Sequence, residues 1–422
     1  MKKVIYILSV VFLLSSCTKK EFDGERPDAK LNRLISEYND LLIGADQGWI
    51  GYLFPEGGGG YTFKFKFDGK NRVKMYAAMD NNKANNSKES SYRITADQVV
   101  SLYFDTYSYI HELSDPDPAV FGGVVGAGYD SDFEFSFVRS TKDSVFLEGN
   151  HNKSELILVR AKSTEGEDYI GKAYTNLSEV DKINTFTNYY NKLKVDNKEY
   201  GIAINTDKST LNFYYTKDNA FKWFSTEFAV SDKGLILRNQ FEDGSLVISA
   251  LNDFNVDKPN NKITLKIGEK DAIIENLSTP FVIDKDAPRR MYIESYTYTS
   301  KTALNVAGQR DALNISGFPG FTGFKFIPRF YIDPFDVLFV YFNGSSNNTV
   351  GPYFNTEFNA EGVMKFKVQN IIGTNPGQPH LSNIQTLNSV WSNPAGFYVY
   401  QTGKNYYDLV SVTDGRMWLR FN

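Results

Sequence analysis

Tyr61-Thr62-Phe63-Lys64-Phe65-Lys66-Phe67 decides the fold class. Aromatic side chains alternate with threonine and lysine at a period of two, so successive residues point to opposite sides of an extended chain. A strand with one aromatic face and one largely cationic face follows. Phe133, Phe135 and Phe137 repeat the pattern, and shorter β-like runs stand at Arg72–Tyr76, Tyr92–Ile94, Val99–Phe104, Val145–Leu147 and Leu156–Val159. Gly, Asn, Asp and Ser clusters separate them, as turns require. Upstream, Pro27 opens a helix whose stripe of Leu31, Leu34, Ile35, Tyr38, Leu41 and Leu42 ends at Gly44. Residues 27–162 therefore read as one helix on an antiparallel sheet.

The same order recurs downstream. Lys162 to Asp168 is polar and marks a boundary, and Ser178 with Asp181 resembles a capping box. Val180, Ile183, Phe186, Tyr190 and Leu193 extend a helical stripe to about Leu193. Strands are expected at Tyr200–Ile204, Leu211–Tyr215, Thr226–Val230, Gly234–Leu237 and Ile263–Ile267, with Asn252–Asn261 as a polar insertion. Residues 163–286 form this middle domain, and its helix-then-sheet order hints at a structural repeat of the first. A β-rich C-terminal domain, 287–422, has runs at Tyr292–Tyr298, Phe324–Ile327, Val337–Phe342, Met364–Val368, Phe397–Tyr400, Leu409–Val412 and Arg416–Phe421, with one helix at Leu381–Trp391. The fold class is mainly β with α (α+β): antiparallel sheets with a few packing helices, in several domains. The strands lack the alternating helices of a doubly wound sheet.

With 422 residues, 41% hydrophobic and 15% aromatic, the chain can bury a core of its own. A formal charge of -4 leaves no basic field for nucleic acid. Residues 1–16 read as an export signal: Met1-Lys2-Lys3 precedes an apolar run from Val4 to Leu14, too short for the roughly 20 residues of a spanning helix. Cys17, the single cysteine, follows Leu14-Ser15-Ser16. This resembles the lipobox of bacterial lipoproteins, which implies lipidation at Cys17 and a membrane anchor on a tether of residues 17–26. Several acyl chains, at about 0.8 kcal/mol per buried CH2, anchor stably where one does not. The acidic residues after Cys17 resemble the surface-export signal of Bacteroidota lipoproteins, which implies outer-membrane display at the cell surface rather than on the periplasmic side.

Familiar catalytic patterns fail one by one. Gly57-Gly58-Gly59-Gly60 has no Lys-Ser/Thr after it and opens no helix, so it reads as a loop or bulge. His111-Glu112 lacks the second histidine of a zinc peptidase, Asp115 standing in its place. Three histidines leave a serine triad few bases. No cofactor and no metal site is expected. Two features remain as candidate ligand-binding elements. Asp115-Pro116-Asp117-Pro118 forms an ordered acidic turn suited to a cation or a sugar hydroxyl. As a strand, Phe104–His111 would put Asp105, Tyr107, Tyr109 and His111 on one side, flat aromatic surface beside hydrogen-bonding groups. Half-buried sheet tyrosines are the competing reading.

Glu25-Arg26-Pro27-Asp28-Ala29, Gly48-Trp49, the glycine run into Tyr61, Asn71-Arg72-Val73, Glu89-Ser90-Ser91-Tyr92-Arg93, Phe104 to Tyr109, Asp115 to Pro118 and Ser131 to Phe135 together resemble an uncharacterised family of Bacteroidota lipoproteins, classed as a domain of unknown function. The likeness is dense over residues 25–162. It implies a surface or outer-membrane lipoprotein, in a lineage where such proteins accompany transporters and surface peptidases, and it transfers no activity. The function expected is non-enzymatic: a lipid-anchored binding or accessory protein for a glycan or peptide, with an outer-membrane transporter as partner. A carboxylate-dependent hydrolase of glycans or peptides and a pure interaction scaffold with an exposed apolar patch are the alternatives.

Overall fold

The aromatic face of Tyr61–Phe67 turns inward, Phe63, Phe65 and Phe67 being buried. They line a closed antiparallel barrel of eight strands. The computed structural model describes residues 26–421 apart from 97–98, 303, 331–334, 343–344 and 374–380; Cys17 and the leader lie outside them. Helix α1 (Pro27–Ile43) leads into β1 (Trp49–Phe54), β2 (Tyr61–Phe67), β3 (Arg72–Ala77), β4 (Lys88–Ala96), β5 (Val100–Phe104), β6 (Glu134–Ser140), β7 (Ser144–Gly149) and β8 (Glu155–Arg160). Each strand pairs with the next, and β1 closes the ring on β8. Short helices interrupt the meander: α2 (Asn81–Asn85) after β3, then α3 (Tyr109–Glu112) and α4 (Pro118–Phe121) between β5 and β6. At eight strands a barrel interior is just wide enough for side chains to fill. Phe65, Met75, Leu102, Phe135, Leu147 and Leu158 fill it here.

A second closed barrel follows α5 (Tyr169–Asp181): β9 (Tyr190–Val195), β10 (Lys198–Asn205), β11 (Thr210–Lys217), β12 (Ala220–Val230), β13 (Gly234–Asp243), β14 (Leu246–Asp257), β15 (Lys262–Ile267) and β16 (Lys270–Leu277), with β9 closing on β16. After α6 (Ala287–Glu294) comes a nine-stranded sheet: β17 (Tyr298–Ser300), β18 (Asn305–Val306), β19 (Phe321–Ile327), β20 (Asp336–Phe342), β21 (Ser345–Phe358), β22 (Val363–Gly373), β23 (Phe397–Gly403), β24 (Tyr406–Ser411) and β25 (Met417–Phe421), with α7 (Leu381–Trp391) between β22 and β23. Its two edges are β17, on β19, and β18, on β25. Only residues 301–304 join those edges, a reach of about 17 Å at most, so the sheet curls until its first and last strands meet. A helix thus precedes an antiparallel meander three times, the first two closed into eight-strand barrels and the third a nine-stranded sheet.

The modules are fused. Ile50, Tyr76 and Ala84 of the first pack in one cluster with Ile170, Ala173 and Val180 of α5 and the interior of the second barrel. Lys64, on the outer face of β2, is buried: its ammonium donates to the carbonyls of Glu165 and Gly166, and burial lowers its pKa. The expected cationic face is thus partly a docking face. Thr210 and Asn212 of β11 donate to the Thr402 carbonyl of β23 at 2.6 and 3.0 Å, and Tyr214, Tyr400 and Trp418 pack between the second and third modules.

Three expectations are corrected. The second helix begins at Tyr169 and ends at Asp181; a 3-10 turn spans Lys182–Thr185, and Tyr190 and Leu193 belong to β9. Tyr190 packs toward the third module and Leu193 into the barrel, so the two lie on opposite faces of the strand, and their three-residue spacing after Phe186 imitated a helix. Asn252–Asn261 is not an insertion: β14 runs to Asp257, with Phe254 and Val256 against the core and polar residues outward. Tyr292 lies in helix α6, and the strand begins only at Tyr298. The C-terminal run is sewn into the sheet, β25 pairing with β24.

Candidate functional site

The segment after β5 is not a strand. Extended pairing stops at Phe104, and Ser108 caps the single turn of α3. Tyr109 and His111 therefore turn into the protein, while Asp105 and Tyr107 stay outside. His111 is fully engaged: Nδ1 accepts from the Ser108 backbone at 3.1 Å, and the opposite nitrogen, Nε2, donates to the Phe104 carbonyl at 3.0 Å. Burial lowers its pKa, which keeps the ring neutral in that tautomer. Tyr109 donates to the Asn86 carbonyl at 3.0 Å. Asp105 faces Arg93 at 3.5 Å.

Tyr107 and the acidic turn do come together. The Tyr107 hydroxyl donates to one Asp115 oxygen, while the other accepts from the Asp117 backbone at 3.0 Å. Burial and the carboxylate push the phenol pKa up, and the phenol in turn holds the Asp115 carboxyl below its usual range. Asp117 caps α4 through the Ala119 backbone at 2.9 Å. The prolines thus order the turn, but its acceptors serve the fold. What remains open is the face of Tyr107, 48% exposed, with the Lys88 ammonium 5.0 Å from its centroid.

A larger concavity lies where hairpin tips of all three modules converge, a place no local pattern marks. From the first comes the β1–β2 loop, Glu56 to Gly59; from the second, Thr210 and the outer face of β12, including Trp223 and Glu227; from the third, the β23–β24 turn with Tyr406. The cleft holds about 660 Å³. The glycine run is a loop, as expected, and its composition has a reason. Gly58 has φ +96, and a Cβ on Gly60 would stand 2.2 Å from the Phe228 carbonyl oxygen of β12. Glycine there lets the first module lie against the second.

Trp223 and Tyr406 give the cleft aromatic surface, and Glu56, Asp130, Glu227 and Glu294 give it carboxylates. Two of these are engaged: Glu294 accepts from the Tyr407 hydroxyl, and Glu227 lies 3.7 Å from Arg238. Trp223 is fixed by its indole N–H, which donates to Asn212 at 3.0 Å. Aromatic faces with hydroxyl, amide and carboxylate groups around them suit a polar ligand with flat apolar patches, such as a sugar or peptide. Gly57, Gly58, Gly59 and Tyr406 also line a neighbouring recess of about 180 Å³, walled by Tyr61, Phe121 and Tyr129 and lined by Lys208.

Comparison with curated proteins returns no match. Among solved structures, the octameric penicillin-binding protein homologue from Pyrococcus abyssi is similar at 9% identity and a TM-score of 0.15 over 35% of this chain. This chain spans 36% of that one, and so low a score carries no argument about fold or function. A family model described as "Domain of unknown function (DUF4302)" matches residues 19–255. The match covers the whole first barrel and enters the second as far as β14. Because it takes in more than half of the sequence, the chain belongs to this family, the domain of unknown function DUF4302.

Proposed function

We propose that the chain is an outer-membrane lipoprotein, displayed at the cell surface through a lipid on Cys17, that binds a glycan or peptide without transforming it and passes it to a transporter partner. The observation that carries this reading is the three-module cleft: Trp223 and Tyr406 present aromatic surface over carboxylate and amide groups. Neither the leader nor the lipobox resemblance enters the geometry; they support the location. The four carboxylates give the hydrolase alternative a footing as well, and the experiment separates the two.

Full-length protein is screened on a glycan array and a peptide library, and any bound ligand is recovered and weighed by mass spectrometry. Capture of an intact ligand, lost in Trp223→Ala and retained in Tyr107→Ala, is the expected result. Loss in Tyr107→Ala alone moves the site to the face above the acidic turn. Recovery of cleaved ligand replaces the binding reading with the hydrolase.

A further inference from the structure

Lys208 sits in the β10–β11 turn, half-buried, lining the smaller recess. Among the described residues no carboxylate or carbonyl meets its ammonium; its contact is the Tyr406 ring, 5.1 Å from centroid to Nζ. The neighbouring Asp207 also lines the recess but is paired with Arg310 at 3.4 Å; burial and the like charge of Lys301 lower the Lys208 pKa against the opposing charge of Asp207. A buried cation is costly unless an anion and hydrogen-bond acceptors complete it. The recess leaves room for them. Its 180 Å³ exceeds the roughly 150 Å³ cavity that takes a benzene ring, so one six-membered ring fits. Tyr61, Phe121, Tyr129 and Tyr406 give it aromatic walls, and Gly57, Gly58 and Gly59, which carry no side chains, line both this recess and the larger cleft.

We propose that this recess reads acid: it takes one carboxylate-bearing sugar ring of a glycan lying in the larger cleft, stacking the ring on Tyr406 and pairing the carboxylate with Lys208 Nζ. The assignment rests on the binding reading above and adds the substrate class. A single compact ammonium matches a single carboxylate, whereas a phosphate group is commonly met by the planar fork of arginine or by several backbone N–H groups. Hydroxyls of a neutral sugar leave the ammonium without its counter-charge. A neutral ring is therefore the weaker occupant.

Calorimetry of the full-length protein tests this with oligosaccharides ending in galacturonate, glucuronate or N-acetylneuraminate, each beside the same compound with its carboxylate converted to the amide. At least one acid binds 10-fold or more tighter than its amide, and Lys208→Met abolishes that difference. Equal binding of every acid and amide overturns the proposal without the need for any variant. So does an acid preference that survives Lys208→Met, or binding confined to neutral glycans, which leaves the wider binding reading standing. Capture of a peptide through its terminal carboxylate overturns the sugar assignment. Absence of binding to any glycan or peptide removes both readings together.

Discussion

Asp408 and Arg420 stand directly opposite each other on β24 and β25, their carboxylate and guanidinium 2.9 Å apart, and the Asp408 side chain is wholly buried. The guanidinium also reaches Asn184 of the second module at 3.4 Å. Removing one charge of such a pair leaves the other uncompensated, which costs about 3–5 kcal/mol. Arg420→Met should lower the denaturation midpoint accordingly, and Asp408→Leu combined with it should restore most of the loss. A single variant as stable as the parent in urea titration would rule this out.

Gly60 separates two backbones. A methyl group there has to displace the Phe228 carbonyl, 2.2 Å away, whereas a Cβ at Gly69 meets nothing within 4 Å. Gly60→Ala should destabilise by about 1–3 kcal/mol, as overpacking does, and Gly69→Ala should stay within about 0.5 kcal/mol. Paired thermal unfolding reads the contrast.

His111 links stability to pH with a definite sign. Its folded pKa lies below the ordinary 6.5, so on acidification the unfolded chain takes up a proton before the folded one does. The stabilisation from the neutral ring is complete above about pH 6.5 and falls as the pH drops from there to the depressed folded value. Lys88 reinforces the depression and Asp105 opposes it. His111→Gln should flatten the Tm profile across that window; parallel profiles of parent and variant would count against the assignment.

The Tyr107 hydroxyl bonds the Asp115 carboxylate at an exposed position. Tyr107→Phe should therefore cost no more than about 1 kcal/mol, well short of a core truncation at about 3–5 kcal/mol. Chemical denaturation distinguishes the two magnitudes.

Cys17 lies outside the described residues. On the proposed lipid anchoring, Cys17→Ala should release the protein from membranes and leave its unfolding curve unchanged, as fractionation of labelled protein beside calorimetry would show. Continued membrane association of the variant would mean another anchor.

Strands whose residue chemistry alternates were legible: Tyr61–Phe67 reads as a strand because aromatic residues alternate with threonine and lysine, although Thr62 and Lys64 on its outer face are buried too. Tyr190 and Leu193 were missed as strand residues: they lie on opposite sides of β9, one against the third module and one in the barrel, and their three-residue spacing continued the helical stripe. The His111 segment misled for another reason: aromatic content imitated a strand, while the capping contact of Ser108 with the His111 ring made a helical turn. Of the main cleft only the glycine loop left a mark on the sequence. Trp223 and Lys208 of the second module come beside Tyr406 of the third only through the packing of the modules, and no local spacing encodes such a meeting.

Each module closes by pairing its opening segment with its final strand: β1 with β8, β9 with β16, and β18 with β25. A polypeptide delivered N-terminus first can finish the first ring once Arg160 has arrived and the second once Leu277 has, but the third waits for Phe421. Until then β18 has no strand to pair with and β24 is an open edge, free to pair with another chain. The last five residues of β25 therefore act as a latch, and a protein shortened by them would leave its first two rings shut and its third open to aggregation.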